Sequence, residues 1–320
     1  MRTRLAVISS LICIAVCPAT TAAELIEVAA DSQKGFEFPY LLFVPKALEG
    51  GPPQYLLVEP NNTGTPNDDL DVHRAAAIHT ARDSGVGTDT ARRLGIPLLV
   101  PVFPRPKNIE NTYTHILDRD TILIRDGPLR RIDLQLLAMA DDAKSRLTAL
   151  GRPVNSKILI TGFSASGQFA NRFTFLHPEA VAAAAYGGLN GFIMVPIEQM
   201  GSQRIEFPLG LADYKEITGH PFDRKTYSRI PQFAYMGEKD DNDAVLYDDG
   251  YPEPERSLVF NLFSGKMMPD RWEAVQAVYR EQKLPVLFKT FSGIGHGTDR
   301  KIHVELADFF RRTIEQQPKT

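Results

Sequence analysis

Short apolar runs recur seven times along the chain, separated by loops or by stretches patterned for helix, and this alternation narrows the fold more than any other feature. The runs cover 40–44, 54–58, 97–102, 157–161, 181–186, 232–236 and 286–291. Several are apolar throughout, as strands must be when helices cover both faces of their sheet. The order predicts an α/β architecture with a largely parallel sheet. A helix is predicted over 134–150, where Leu134, Leu137, Ala138, Leu147 and Leu150 fall at helical spacing before Gly151 and Pro153 end the run. The stretch 188–229 breaks the rhythm, with Pro196, Pro208, Gly210, Gly219 and Pro221 scattered among aromatic and charged residues. It reads as an insertion, either a lid folded over the strand ends or peripheral packing.

The first residues stand apart from the fold. Arg2 and Arg4 precede an apolar stretch over 5–16, too short to span a bilayer, and then Pro18 and small residues ending at Ala22-Ala23. That layout predicts a secretory signal peptide over 1–23, cleaved after Ala23. Lipid attachment at Cys17 and an uncleaved anchor are the other readings, the former opposed by bulky Val16. Both cysteines, Cys13 and Cys17, lie in this leader. Residues 24–320 therefore have no disulfide and must be held by their core. Losing Arg2 and Arg4 moves the formal charge from -3 to -5, a balance that offers no basic patch for nucleic acid. No other apolar run reaches membrane-spanning length, so one soluble domain over 24–320, secreted or periplasmic, is expected.

The chemistry gathers around one serine. The run 157–161 leads into Gly162-Phe163-Ser164-Ala165-Ser166-Gly167, followed by Phe169, Ala170, Phe173 and Leu176 at helical spacing before Pro178. Strand, sharp turn and helix in this order make a nucleophile elbow, which needs small residues two before and two after the serine because the turn presses those backbones together. Gly162 and Ser166 meet that need; taking Ser166 as nucleophile instead would put Gln168 at a crowded position. An ordinary turn with a capping serine has the same local signature, so the context has to decide.

The context asks for an acid and then a histidine, each just past a later strand. The 232–236 run enters Gly237-Glu238-Lys239-Asp240, and 286–291 enters Ser292-Gly293-Ile294-Gly295-His296-Gly297. A serine hydroxyl is a weak nucleophile until an imidazole takes its proton, and the imidazole needs a carboxylate to fix its tautomer. Asp240 is the favoured acid, with Asp241 and Asp243 beside it as alternatives. Asp240, Asp241, Asn242, Asp243, Asp248 and Asp249 also read as a solvated acidic loop, while the alternating ligand spacing of an EF-hand is absent.

Oxyanion donors are expected from the backbone of Ala165 and from the loop after 54–58, Glu59-Pro60-Asn61-Asn62-Thr63-Gly64, with Asn62 favoured over a plain Asn/Gly turn. His115 and Trp272 are substrate-binding candidates, Trp272 with packing as its alternative. His73, His79, His177, His220 and His303 have no partners at metal-ligand spacing, so no metal site is expected.

At these residues the sequence resembles the α/β-hydrolase superfamily, and within it the secreted esterases of the poly(3-hydroxyalkanoate) depolymerase and feruloyl esterase type. The resemblance rests on Gly162 to Gln168, Asn171-Arg172-Phe173, His177-Pro178, Gly237 to Asp240 and Gly293 to His296. It departs from their pattern at Ser166, where glycine is usual, and at Asn61-Asn62, where His-Gly is common. The resemblance implies a mostly parallel central sheet flanked by helices; in it, 188–229 would be the insertion after the sixth strand, lid or peripheral packing. It also implies cofactor-free hydrolysis of a small or polymeric ester, with Ser164 as nucleophile, His296 as base and Asp240 orienting it.

Overall fold

A computed structural model describes residues 23–46, 54–189 and 191–316. The leader read over 1–23, including both cysteines, lies outside the described residues except for Ala23. The strands are β1 (Glu24–Val28), β2 (Tyr40–Val44), β3 (Leu56–Val58), β4 (Leu98–Pro101), β5 (Ile158–Phe163), β6 (Val181–Gly187), β7 (Gln199–Met200), β8 (Gln203–Arg204), β9 (Gln232–Gly237) and β10 (Val286–Phe291). The α-helices are α1 (Leu70–His79), α2 (Val86–Leu94), α3 (Arg119–Leu123), α4 (Ile132–Ala149), α5 (Ala165–Leu176), α6 (Tyr214–Thr218), α7 (Arg224–Tyr227), α8 (Glu255–Phe263), α9 (Trp272–Glu281) and α10 (Arg300–Gln316).

Eight strands form one sheet in the order β1-β2-β4-β3-β5-β6-β9-β10. β2 pairs antiparallel with both β1 and β4, while β4, β3, β5, β6, β9 and β10 run parallel. All seven strand expectations meet strands. The eighth, β1, was not foreseen: it is a half-exposed edge with no run of buried residues, so hydrophobicity alone gives it no signature.

The two-residue period of a strand divides the core into two layers. Ile158 and Ile160 of β5, Ala184 and Tyr186 of β6, and Ala234 and Met236 of β9 face one cluster, together with Leu136, Met139, Ala143 and Leu147 of α4 and Phe169 and Phe173 of α5. Leu159, Ala183, Ala185, Phe233 and Tyr235 face the other, with Ala91 and Leu94 of α2 and Leu306 and Phe310 of α10. Covering both faces is what makes the central strands apolar throughout.

The helix expected over 134–150 forms as α4, and only part of the expected apolar set faces inward: Leu147 is buried, and Leu137 and Ala138 pack at the core's edge. Ile132, Leu136, Met139, Ala140, Ala143 and Leu147 are buried, whereas Leu134 and Leu150 are exposed. The helix carries apolar residues on more than one side, and only packing selects the stripe. Gly151, at φ 73°, closes it with hydrogen bonds from Gly151 N to Thr148 O and from Arg152 N to Leu147 O.

The segment read as a lid, described at 188–189 and 191–229, is stitched into the wall of the molecule. Phe192, Ile193, Met194, Val195, Ile205, Phe207, Leu209, Tyr214 and Tyr227 are buried in the same cluster as α5. The Tyr214 hydroxyl donates to the Phe175 and Leu176 carbonyls, Met194 N donates to Asn171 Oδ1, and Tyr227 stacks on Phe175 at 4.3 Å. The irregular sequence reflects short turns packed against a helix, which have no period to read.

Candidate active site

β5 ends in the turn that presents Ser164 at φ 62° and ψ -127°, a backbone conformation rarely adopted by a residue with a side chain. Such strain persists only where neighbours over-determine it. Here Ser164 N donates to Gly187 O at 2.9 Å and Gln168 N donates to Ser164 O at 3.1 Å, tying the turn to β6 and α5. A Cβ on Gly162 would stand 2.3 Å from Ser166 O, and one on Gly167 would stand 2.7 Å from Gly187 O. The second crowded glycine is thus Gly167, one residue later than the usual spacing.

Ser166, the departure from that spacing, braces the turn. Its hydroxyl donates to Phe163 O at 2.8 Å and accepts from Phe163 N at 3.0 Å, and the residue is buried. Both directions of its hydrogen bonding are occupied, which leaves Ser164 as the hydroxyl presented outward.

His296 Nε2 lies 3.0 Å from Ser164 Oγ, and His296 Nδ1 lies 3.0 Å from both carboxylate oxygens of Asp240. The Asp240 side chain has no exposed surface, whereas that of His296 is 24% exposed. Two loops meet to make this alignment. Glu238 N donates to Phe291 O, Lys239 N donates to Ile294 O, and Glu238 Oε2 accepts from Ser292 Oγ and Gly293 N. A Cβ on Gly237 would be 2.4 Å from Gly295 O, so glycine there lets the acid loop and the histidine loop touch. The imidazole also packs on the Phe163 ring at 5.0 Å between centroids.

The neighbouring acids are engaged elsewhere. Asp243 makes a bidentate pair with the buried Arg271, both distances 2.9 Å; Asp248 pairs with Arg256, and Asp249 with Arg105. Asp241 is exposed. Among the described residues no group of three or more His, Cys, Asp or Glu side chains is placed to hold a metal ion.

Ala165 opens α5, where a first-turn N–H has no acceptor within its own helix. Asn62 follows β3 and lines, with Phe163, Ser166 and Thr298, a cleft of about 150 Å³. Its side chain accepts from Gly64 N at 3.0 Å. A larger cavity of about 530 Å³ lies between α8 and 203–209; Ser164, Asp240 and His296 do not line it.

The two substrate-binding candidates are not brought to this site. His115 is buried, and its ring nitrogens meet Thr63 N at 3.3 Å and Phe103 O at 2.9 Å. Trp272 is buried too; its Nε1 donates to Thr290 Oγ1 at 3.0 Å, and its ring meets Phe288 edge-on. Trp272 packs α9 against β10, the alternative the sequence had left open.

Several buried polar residues escaped the sequence reading. Arg105 donates to Gly64 O at 2.9 Å, lies over the Tyr113 ring and pairs with Asp249, joining the loop after β3 to the loop after β9. Arg172 is fully buried and donates to Ile116 O and the Tyr251 hydroxyl. Glu59, at the end of β3, accepts from Gly87 N at 2.8 Å at the start of α2. Only the Arg172 position had a sequence signal, through its place in Asn171-Arg172-Phe173.

Burial pushes the Glu59 carboxyl up to about 8, against an ordinary value of 4.5, outweighing the backbone donors of Gly87 and Val86. At neutral pH the folded protein holds a proton there that the unfolded chain has released, so stability falls as pH rises from about 5 to about 8. Glu59→Gln removes this dependence while keeping an oxygen for Gly87 N. The melting temperature of the variant is expected to fall less than that of the parent over that interval. Equal slopes would contradict the assignment.

The comparisons with known proteins agree with this architecture. No family model matches the chain, and no curated protein matches it. Among solved structures, poly(aspartic acid) hydrolase-1 from Sphingomonas sp. KT-1 aligns with a TM-score of 0.56 at 16% identity, over 92% of this chain and 98% of the other. LpqC, a poly(3-hydroxybutyrate) depolymerase from Bordetella parapertussis, aligns with a TM-score of 0.53 at 16% identity, over 93% and 92%. With the strand order and the serine turn after β5, this likeness shows that the chain has the α/β-hydrolase fold.

Proposed function

We propose that the chain is an exported serine hydrolase that cleaves a carboxylic ester through an acyl-enzyme intermediate. One observation carries the proposal: the unbroken line from Ser164 Oγ through His296 to Asp240, each step 3.0 Å. In this reading His296 Nε2 takes the Ser164 proton as the hydroxyl attacks the ester carbonyl. Asp240, on Nδ1, fixes the tautomer that leaves Nε2 free to accept and steadies the imidazolium that forms. The backbone N–H groups of Ala165 and Asn62 stabilise the oxyanion. His296 then returns the proton to the departing alcohol, and water repeats the sequence on the acyl-enzyme. The leader over 1–23 carries the export part of the proposal.

A second reading, cleavage of an amide or transfer to another acceptor with the same triad, draws support from the likeness to a poly(aspartic acid) hydrolase. Leaving group and acceptor are chosen by pocket shape, which the triad does not determine. Hydrolysis of p-nitrophenyl esters of graded acyl length, run beside the matching p-nitroanilides, separates the two. Ester turnover with anilide rates at background is expected. Comparable anilide turnover would move the assignment to a peptidase or amidase.

A further inference from the structure

The loop 61–64 is held by side chains that no catalytic step uses. Asn61 binds the Phe103 backbone in both directions, its Nδ2 donating to Phe103 O at 2.8 Å and its Oδ1 accepting from Phe103 N at 3.0 Å. On the other side of Asn62, Thr63 N donates to His115 Nδ1 at 3.3 Å, and His115 Nε2 faces Phe103 O at 2.9 Å. Thr63 Oγ1 lies 2.6 Å from His73 Nδ1, and the two imidazoles meet edge-on at 5.5 Å.

These partners permit one tautomer of His115. Thr63 N only donates and Phe103 O only accepts, which puts the lone pair on Nδ1 and the proton on Nε2; Asn61 Nδ2, 3.4 Å from Nε2, gives its hydrogen to Phe103 O at 2.8 Å instead. Burial, reinforced by the charge of Arg105 and by His73, pulls the imidazole down to about 3, so the ring stays neutral and keeps its acceptor. Asn62 is thereby bracketed, with Asn61 and Thr63 each anchored to the β4 side of the loop.

We propose that His115 is a positioning residue for the oxyanion loop: by accepting from Thr63 N, it fixes the backbone on which the Asn62 donor sits, while the Phe103 O contact sets only the tautomer of the ring. The inference rests on the serine-hydrolase reading of Ser164. It assigns His115 a place behind the site, away from the substrate.

The amide variants divide the two hydrogen bonds. Asparagine carries its oxygen where Nδ1 stands and still accepts from Thr63 N; glutamine reaches the Nε2 position and leaves Thr63 N unpartnered. His115→Gln is expected to lower kcat roughly 10–100-fold with KM within about threefold, a loss confined to transition-state stabilisation. His115→Asn is expected to restore both constants to within about threefold of the parent. A parent-like kcat for His115→Gln, or equal losses in both variants, would overturn the proposal. The unsubstituted protein gives a test that no folding defect can obscure. Its ¹⁵N spectra are expected to show His115 with Nδ1 bare and Nε2 protonated, unchanged from about pH 8 to about pH 5; a protonated Nδ1 would overturn the proposal. Fluorophosphonate labelling of Ser164 in the same preparation tests the hydrolase reading separately.

Discussion

Ser164→Ala is expected to lower kcat toward an activated ester by about ten-thousand-fold or more, with the melting temperature unchanged. The loss is large because the variant keeps a general base and oxyanion donors but no atom that can form the acyl-enzyme, and members of such a unit fail together. Stability is expected to hold because alanine at φ 62° is no more strained than serine, and because Ser164 N and O, the atoms tying the turn to Gly187 and Gln168, are retained. Ser166→Ala is the informative partner. Its hydroxyl bridges both backbone groups of Phe163. Removing that brace is expected to cost about 1–3 kcal/mol of stability while leaving most ester hydrolysis in the molecules that fold. Steady-state rates and thermal melts on the two variants measure both effects. Loss of activity from Ser166→Ala alone would reverse the assignment of the two serines.

Asp240→Asn and Asp243→Asn are expected to fail in opposite ways, although the residues are close neighbours in sequence. At Asp240 the amide keeps the shape but can donate to His296 Nδ1, which favours the wrong tautomer; kcat at neutral pH is expected to fall by about ten-thousand-fold with the fold intact. Asp243 instead neutralises Arg271, whose side chain is 1% exposed. Taking one partner from a buried pair strands a charge, so Asp243→Asn is expected to lose about 3–5 kcal/mol in urea unfolding. Per folded molecule, its ester turnover is expected to stay within a few-fold of the parent. Both quantities come from active-site titration paired with denaturation curves. An intact kcat in Asp240→Asn would remove Asp240 from the triad.

The contrast between these two aspartates also shows what the sequence could reveal. Order along the chain singled out Ser164, Asp240 and His296 because the chemistry needs three groups at three strand ends, and the structure brings those three together. Asp240 was favoured over Asp243 from the sequence alone, but what occupies Asp243, its pair with the distant Arg271, no local pattern announces. The central strands were legible because burial on both faces leaves few polar positions, Thr161 and Gln232 among them. β1 was not, since an edge strand lacks that mark, and α4 showed only part of its buried stripe because more than one side of it is apolar. His115 and Trp272 were placed near a pocket from their position in the chain. Both are buried with their polar atoms satisfied, a condition set by packing partners far away in sequence. The loop after β3 was found as a turn, but its outside supports, His73, Arg105 and His115, come from three separate segments: α1, the loop after β4 and the turn at 114–116.

The central claim is that Ser164 is a nucleophile activated by His296. Its most direct measurement is a fluorophosphonate reaction on the folded protein, followed by mass spectrometry of the digested chain. One adduct per chain on the peptide containing Ser164 is expected, mapped to that serine by fragmentation, and lost in His296→Ala and after unfolding in urea. An unlabelled folded protein, or an adduct on Ser166, would contradict the account.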